Sequence, residues 1–293
     1  MKKRRYEIGM SILFAGIVCA YFVFTFLPVI DGLQISLTDW NGISPSRNFV
    51  GFVNYSQFIS DKHFVDTVTI TLKYILLLSA GMVALGYGLA LCLLQMRSQS
   101  MLLTVLFFPH IIMTVISCIL WEQIFNNILP GIGRMLGIEK LSHNMLSSKE
   151  TAILAVVAVD LWHLAPYAFL ILFTALKGIP ADMVDSARLE GANSVQLFRH
   201  IQFPMTFPSF GVVLTTAITH ALTSIDTILI MTSGGPARAT ETLYFVVYKN
   251  SFMRQRFGYG LAQGVLLAIA AILIYLLIQA WTNRVQTEGV EDG

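Results

Sequence analysis

Long apolar segments alternate with short polar ones along the whole chain. An α-helix rises about 1.5 Å per residue, so roughly 20 apolar residues cross a hydrocarbon core of about 30 Å. The segments that meet this requirement are residues 9–30, 68–96, 101–121, 151–176, 205–231 and 257–281. The pattern therefore predicts an all-α membrane protein with about six transmembrane helices.

Composition agrees with this pattern. Of the 293 residues, 55% are hydrophobic and 12% are charged, whereas a soluble domain carries about 25% charged residues. The net charge of +2 and the lack of a basic stripe exclude a nucleic-acid-binding protein. Cys19, Cys92 and Cys118 stand apart in apolar runs, so neither a disulfide framework nor a metal site is expected.

The distribution of basic residues predicts the orientation in the membrane. The cluster Lys2-Lys3-Arg4-Arg5 directly precedes the first apolar segment, and such clusters stay on the cytoplasmic side. We expect a retained first helix rather than a cleaved signal peptide, because no small-x-small cleavage site follows. Both termini, 1–8 and 284–293, are then cytoplasmic, with a transmembrane domain at 9–283. The loops follow in alternation: 31–66, 126–150 and 232–256 outside, 97–100 and 177–204 inside.

The inner loop at 177–204 is too long for a simple hairpin connection of about 2 to 8 residues. Pro180 near its start, Asp182 in the first turn and Gly191 at the end are typical of a short helix. Asn193 and Gln196 then have the spacing of a capping box, which starts a second short helix. The loop is predicted to be a helix, a glycine turn and a helix.

This loop carries both apolar and charged side chains. Met183, Val184 and Leu189 offer apolar contacts beside several charged residues, a mixture that suits a protein surface better than lipid. We interpret the loop as a docking element. The alternative is an amphipathic loop that lies on lipid headgroups.

The loop also resembles a known family. The run Ile179-Pro180 followed by Asp185-Ser186-Ala187-Arg188-Leu189-Glu190-Gly191-Ala192 resembles the EAA loop of permease subunits in binding-protein-dependent ABC importers, in particular the sugar-uptake branch. Residues 49–55 and Thr232-Ser233-Gly234-Gly235-Pro236 are similar to that family too. Two positions depart from its pattern: Asp185-Ser186-Ala187 stands for Glu-Ala-Ala, and Glu190 for Asp. Both changes keep the charge.

The resemblance implies a type I importer fold with a core permease module at 67–283. It also implies that the chain forms half of the pathway for a sugar, an oligosaccharide by expectation. The implied partners are a second permease subunit, two ATPase subunits and an external solute-binding protein. The residues implied to couple to the ATPases are Asp182, Asp185, Ala187, Arg188, Glu190 and Gly191. Contact with the binding protein is implied for Gly234, Gly235 and Pro236, for which the alternative is an ordinary tight turn.

The 293 residues contain no G-x-x-x-x-G-K-[ST] phosphate loop, so ATP hydrolysis is expected in a partner subunit. The chain is therefore expected to be a transport subunit rather than an enzyme. It is expected to bind no cofactor itself, with ATP and Mg²⁺ held by the ATPases. The expected location is a bacterial-type cell membrane, with several crossings of the bilayer.

Polar residues within the apolar segments are candidates for the substrate pathway, because each costs about 2.5 to 3.5 kcal/mol on insertion scales. The candidates are Asp160, Trp162, His163, Tyr167, His220, Asp226 and, as a weaker one, Gln263. Alternatively, Asp160 and His163, three residues apart, satisfy each other. Trp121 is interpreted as an interface anchor. The absence of Arg and Lys from the middle of the segments favours a neutral or acidic-tolerant saccharide over a phosphate-bearing solute, although polyols and glycerol phosphates occur in the same branch.

Two other functions are each consistent with one feature of the sequence. A proton- or ion-coupled carrier or channel could use Asp160, His163 and Asp226 as a relay; uptake driven by a gradient without ATP would identify it. A membrane enzyme could hold Mg²⁺ between Asp182 and Asp185. The inner loop at 97–100 has no acidic residue, so the second acidic cluster that such enzymes use is missing.

Overall fold

The computed structural model describes residues 2–96 and 100–291, so most of the predicted inner loop at 97–100 lies outside the described residues. The chain forms two compact units. The first unit comprises residues 1–64 and 246–266, and the second comprises residues 65–245 and 267–293. Within the described residues no β-strand occurs, and an isolated bridge joins Thr38 and Phe49. The all-α prediction is confirmed.

The helices are numbered in chain order. Their bounds are α1 Lys2–Ser36, α2 Val53–Ile59, α3 Phe64–Leu94, α4 Ser100–Ile111, α5 Thr114–Gln123, α6 Leu129–Leu136, α7 Ala152–Lys177, α8 Ala181–Leu189, α9 Ser194–Leu197, α10 Phe203–Thr223, α11 Asp226–Met231, α12 Leu243–Tyr248 and α13 Phe257–Glu291.

Six helical segments of the described chain are long and apolar enough to cross a membrane, as predicted. They are Leu13–Ser36, Phe64–Leu94, Thr114–Leu136, Ala152–Lys177, Ser194–Thr223 and Phe257–Thr282. The predicted bounds are close for the second, fourth and sixth. The first helix continues beyond residue 30 to Ser36, and the last continues past residue 281 to Glu291, through most of the predicted tail.

The third segment differs from its prediction at 101–121. The helix is interrupted after Ile111, where Met113 adopts an extended conformation (ψ 133°). Beyond Gln123 it continues through a π-helical turn, Ile124–Ile128, into α6. A proline cannot donate a backbone hydrogen bond and clashes with the carbonyl four residues earlier; the π turn lets the helix continue past Pro130. The predicted outer loop at 126–150 is therefore helical up to Leu136.

The fifth segment also differs from its prediction at 205–231. Its helix begins at Ser194, passes through a π-helical turn at Phe198–Gln202 and ends at Thr223. Ser224 is extended (ψ 138°), and its N–H donates to the His220 carbonyl at 2.8 Å. A separate short helix, α11, follows. The second short helix expected in the inner loop is thus the start of a transmembrane helix, and the expected span is broken at Ser224–Ile225.

The core of the second unit lies where α3, α7 and α10 pack together. Leu78, Met82, Phe169, Leu172 and Val213 are among its buried side chains. Helices in lipid associate through close packing rather than through the hydrophobic effect. Gly86 of α3 shows this, because an added Cβ would lie 2.8 Å from Cδ1 of Leu172 and 3.2 Å from the backbone of Ala168.

The first unit is organised around the end of α1. The buried Asn54 of α2 donates through its side-chain amide to the carbonyls of Ser36 (2.9 Å) and Thr38 (2.8 Å). Beside it, the backbone N–H and side-chain amide of Asn48 donate to the Asp39 carboxylate. These bonds lower the pKa of Asp39 because they stabilise its charged form. The bonds from Asn54 to the carbonyls of Ser36 and Thr38 explain why the 49–55 run contains an asparagine.

Candidate functional site

The inner loop has the predicted helix, with Pro180 as N-cap and Asp182 in the first turn of α8. At its C-terminus the N–H of Gly191 donates to the Arg188 carbonyl and the N–H of Ala192 to the Ala187 carbonyl, both at 3.0 Å. This pair of bonds is a Schellman motif, which needs a left-handed residue at the Gly191 position. Gly191 has φ +89°, a conformation that costs other residues about 1–2 kcal/mol.

The turn leads directly into the next helix. The Asn193 side chain accepts from the N–H groups of Val195 (3.1 Å) and Gln196 (2.9 Å), and the Gln196 side chain accepts from the Asn193 N–H (2.9 Å). The predicted capping box is confirmed. From Ser194 the helix is continuous to Thr223, 30 residues in all, or about 45 Å at 1.5 Å per residue.

Helix α8 is held to the rest of the chain by few contacts. None of the residues Ala181–Leu189, all of which the structure describes, is buried. Leu189 is 89% exposed and Met183 is 46% exposed. Asp185 and Arg188 form an ion pair at 3.6 Å with both side chains mostly exposed, an arrangement that contributes about 0–1 kcal/mol. The helix therefore presents apolar and charged groups together on an uncovered surface.

Asp160 lies at the centre of a buried polar cluster in the second unit. Its carboxyl group accepts a hydrogen bond from the hydroxyl of Tyr74 on α3 and one from Thr227 on α11, the latter at 2.6 Å. Nε2 of His220, in the last turn of α10, lies 3.6 Å from the same group. Asp160 is 2% exposed. Its hydrogen bonds are made to Tyr74 and Thr227, so the alternative in which Asp160 and His163 satisfy each other is wrong.

His163 has a different environment. Its Nδ1 has no hydrogen-bond partner among the described residues, while its backbone carbonyl lies 3.1 Å from Nδ1 of His110. The adjacent Trp162 is half-buried, and its ring packs edge-on against Trp121 with 5.6 Å between centroids. Trp121, interpreted from the sequence as an interface anchor, therefore contacts one of the pathway candidates.

The other pathway candidates are dispersed. Tyr167 is 37% exposed, and Asp226 is exposed in the first turn of α11. Gln263 belongs to the first unit, where it is 2% exposed and accepts from the Asn250 amide at 2.9 Å. The structure thus brings together Asp160 and His220, and places Gln263 inside the first unit rather than on a surface.

The segment after α11 comprises residues 232–242. It is called the mouth loop here because the sequence predicts that it lies on the outer side of the membrane. The Thr240 hydroxyl donates to the Gly235 carbonyl and meets the Thr232 hydroxyl. Glu241 is 3% exposed and lies 2.8 Å from the Arg238 guanidinium. Ser233, Ala237 and Arg238 all have positive φ, and such strain is retained only where neighbouring groups enforce it. Gly234, Gly235 and Pro236 therefore lie in a loop that is held by its own hydrogen bonds and ion pair.

Sequence reasoning did not find the partners of Asp160. Tyr74 is 86 residues and Thr227 is 67 residues from Asp160 along the chain, and neither stands in a recognisable motif. The only signal was the cost of a carboxylate in an apolar segment, which indicates that partners exist without saying which ones they are.

Comparison with known proteins places this geometry in a family. The family described as "Binding-protein-dependent transport system inner membrane component" matches residues 82–287. The multiple sugar-binding transport system permease protein MsmF of Streptococcus mutans is 30% identical, over 87% of this chain and 88% of the relative. The trehalose/maltose transport system permease protein MalF of Thermococcus litoralis is 27% identical, over 95% of both chains.

Solved structures agree at the level of the fold. A chain from the crystal structure of a bacterial ABC transporter involved in the import of the acidic polysaccharide alginate has a TM-score of 0.83, with 19% identity over 97% of this chain and 98% of that chain. This protein is therefore a multi-pass inner-membrane transport subunit with the ABC importer permease fold, and it belongs to the binding-protein-dependent transport system inner membrane component family.

Proposed function

We propose that the chain forms half of the pathway of an ATP-driven importer for a neutral oligosaccharide, together with a second permease subunit. The exposure and the attachment of α8 are the observations that support this proposal. It is an uncovered helix fixed by a Schellman turn and a capping box to a continuous transmembrane helix. Such an element can transmit a displacement at its surface into the membrane.

Two ATPase subunits, which hold ATP and Mg²⁺, are the proposed partners of the inner loops. Leu189 and Met183 supply the apolar part of the contact and Asp182, Arg188 and Glu190 its charged rim. Such a composition is common at protein interfaces. For this contact the loop has to lie in the cytoplasm, which requires both termini to be cytoplasmic.

An external solute-binding protein is the proposed partner of the mouth loop. One solved relative of the fold is described as a bacterial alginate ABC transporter in complex with an alginate pentasaccharide-bound periplasmic protein. The backbone geometry and the Arg238–Glu241 pair hold Gly235 and Pro236 half-exposed in one conformation. A preformed surface lowers the entropy cost of binding.

The proposed cargo follows from the names of the relatives and from the charges. Several relatives are sugar permeases, and two are sn-glycerol-3-phosphate permeases, from Agrobacterium fabrum and Rhizobium meliloti, each 27% identical. A phosphate cargo favours Arg or Lys in the pathway. Within the six candidate spans the basic residues other than histidine are Lys73, Arg134, Lys177 and Arg199, each within ten residues of a span end. This placement favours a neutral saccharide.

Reconstitution of the complex tests the proposal. The chain is assembled in proteoliposomes with its partner permease, the ATPases and the binding protein encoded beside it, and ATP hydrolysis and uptake are measured. We expect both activities to require the binding protein and the ATPases. Uptake that follows a proton gradient and ignores ATP would support the carrier alternative and end this proposal.

A binding measurement tests the cargo separately. The purified binding protein is titrated with maltose, maltotriose, glycerol and sn-glycerol 3-phosphate in a calorimeter. We expect heat from the neutral oligosaccharides. Binding of sn-glycerol 3-phosphate alone would contradict the cargo assignment and leave the importer assignment intact.

A further inference from the structure

The break in the fifth span lies beside the Asp160 cluster. On one side of the break, His220 belongs to the last turn of α10; on the other side, Thr227 belongs to the first turn of α11. The Thr227 hydroxyl donates to the Asp160 carboxyl group at 2.6 Å, whereas Nε2 of His220 lies 3.6 Å from the same group and makes no hydrogen bond to it. A third helix contributes Tyr74, whose hydroxyl donates to the other carboxyl oxygen.

Both parts of the span pack against other helices, and α11 has in addition a directional bond to Asp160. Helix α10 packs on the core through small and branched side chains, such as Val213, Ala217 and Ala221. Helix α11 has six residues, too few to be stable without tertiary contacts, and its buried apolar side chains supply contacts that have no fixed direction. The hydroxyl of Thr227 gives it a directional bond, and a hydrogen bond to an ionised or buried carboxyl group is among the stronger ones in proteins. Asp160 is therefore placed to define the direction in which α11 leaves the break.

Helix α11 leads straight into the mouth loop. The Ser233 N–H donates to the Ile228 carbonyl at 2.8 Å and the Thr232 hydroxyl to the same carbonyl at 2.9 Å. A rotation of α11 would therefore move the mouth loop with it. We propose that Asp160 is a positioning residue that sets the angle between α10 and α11 and thereby the position of the mouth loop.

This inference rests on the proposed function only where it concerns the binding protein. Asp160 itself, at 2% exposure, has its carboxyl group occupied by Tyr74 and Thr227. It acts on the solute route through α11 and the mouth loop, not by touching the solute.

The experiment uses two spin labels across the break. In the full complex, with native cysteines replaced by alanine so that no new hydroxyl enters the cluster, Val212→Cys on α10 and Ala237→Cys in the mouth loop carry the labels, since the first is 48% exposed and the second is exposed. Their distance distribution is measured by pulsed electron paramagnetic resonance in nanodiscs. We expect a narrow distribution in the otherwise unaltered chain and a broadened or shifted one in Thr227→Val and in Tyr74→Phe.

Two matched variants act as controls. Thr227→Ser keeps the hydroxyl and is expected to restore the narrow distribution. Tyr87→Phe removes another buried tyrosine hydroxyl of α3, bonded to Thr206 at 2.8 Å, and is expected to leave the Val212–Ala237 distance unchanged. An unchanged distance in Thr227→Val, failure of Thr227→Ser to restore it, or equal broadening in Tyr87→Phe would overturn the proposal.

ATP hydrolysis supplies a second readout. For Thr227→Val we expect the binding-protein concentration at half-maximal ATPase stimulation to rise roughly 2- to 30-fold, the range found for residues that modulate coupling between sites. The maximal rate should stay near that of the unaltered complex, whereas defective assembly would lower the maximal rate instead and count against positioning. If no ATPase stimulation occurs in any variant, the proposed function fails, and the distance measurement still decides the role of Asp160.

Discussion

Gly191 shows how one residue fixes the form of the inner loop. An added Cβ at this position would meet nothing within 4 Å, so the glycine is required by its φ of +89° and not by space. Gly137, which ends α6, has φ +68° and is equally unobstructed. The two glycines have the same backbone requirement but shape different loops, so they are a matched pair for mutation.

We expect Gly191→Val to reduce recovery of the ATPases with the permease after affinity purification, because a β-branched residue opposes the left-handed conformation by about 1–2 kcal/mol or more. Gly137→Val introduces comparable strain outside the proposed docking loop and should leave recovery unchanged. Glu190→Lys, which reverses a charge on the proposed docking rim, should act in the same direction as Gly191→Val. Equal recovery in all three variants would contradict the docking role of the loop.

At the scale of elements, local signals predicted the inner loop better than the spans around it. Pro180, Gly191 and the Asn193–Gln196 box are short-range features, and each bounds its helix as expected. The third and fifth spans were predicted too short at these ends, because their helices include Pro130 and Pro204, each after a π turn that hydropathy does not show. The break at Ser224–Ile225 lies beside a contact with Asp160, far along the chain, and hydropathy cannot show such a contact.

The mouth loop offers a prediction about an ion pair. Glu241→Ala should lower the free energy of unfolding by about 1–3 kcal/mol, because it leaves the Arg238 guanidinium without its buried partner. Asp185→Ala removes the exposed pair with Arg188 and should change the free energy by less than about 1 kcal/mol. Denaturant unfolding in detergent followed by tryptophan fluorescence compares the two. A loss of unfolding free energy for Glu241→Ala no larger than that for Asp185→Ala would show that other contacts hold the loop.

At the scale of the whole molecule, composition and hydropathy were enough to predict a six-span membrane protein, and the family resemblance supplied its class. The orientation is still a prediction from the basic cluster at residues 2–5. In a cysteine-free background, Ser186→Cys in the inner loop should be protected from an impermeant maleimide applied to intact cells, and Ala237→Cys in the mouth loop should be labelled. The reverse pattern would place the EAA-like loop outside and exclude its contact with cytoplasmic ATPases.

The π-helical turn at Phe198–Gln202 adds one residue to the helix that joins the inner loop to the membrane. One residue corresponds to a rotation of about 100° in an α-helix with 3.6 residues per turn. This turn therefore sets the direction in which α8 projects around the axis of α10. Removal of one residue from it, such as Arg199, should preserve the helix and its insertion into the membrane while α8 projects in another direction. The number of solute molecules taken up per ATP hydrolysed should then fall.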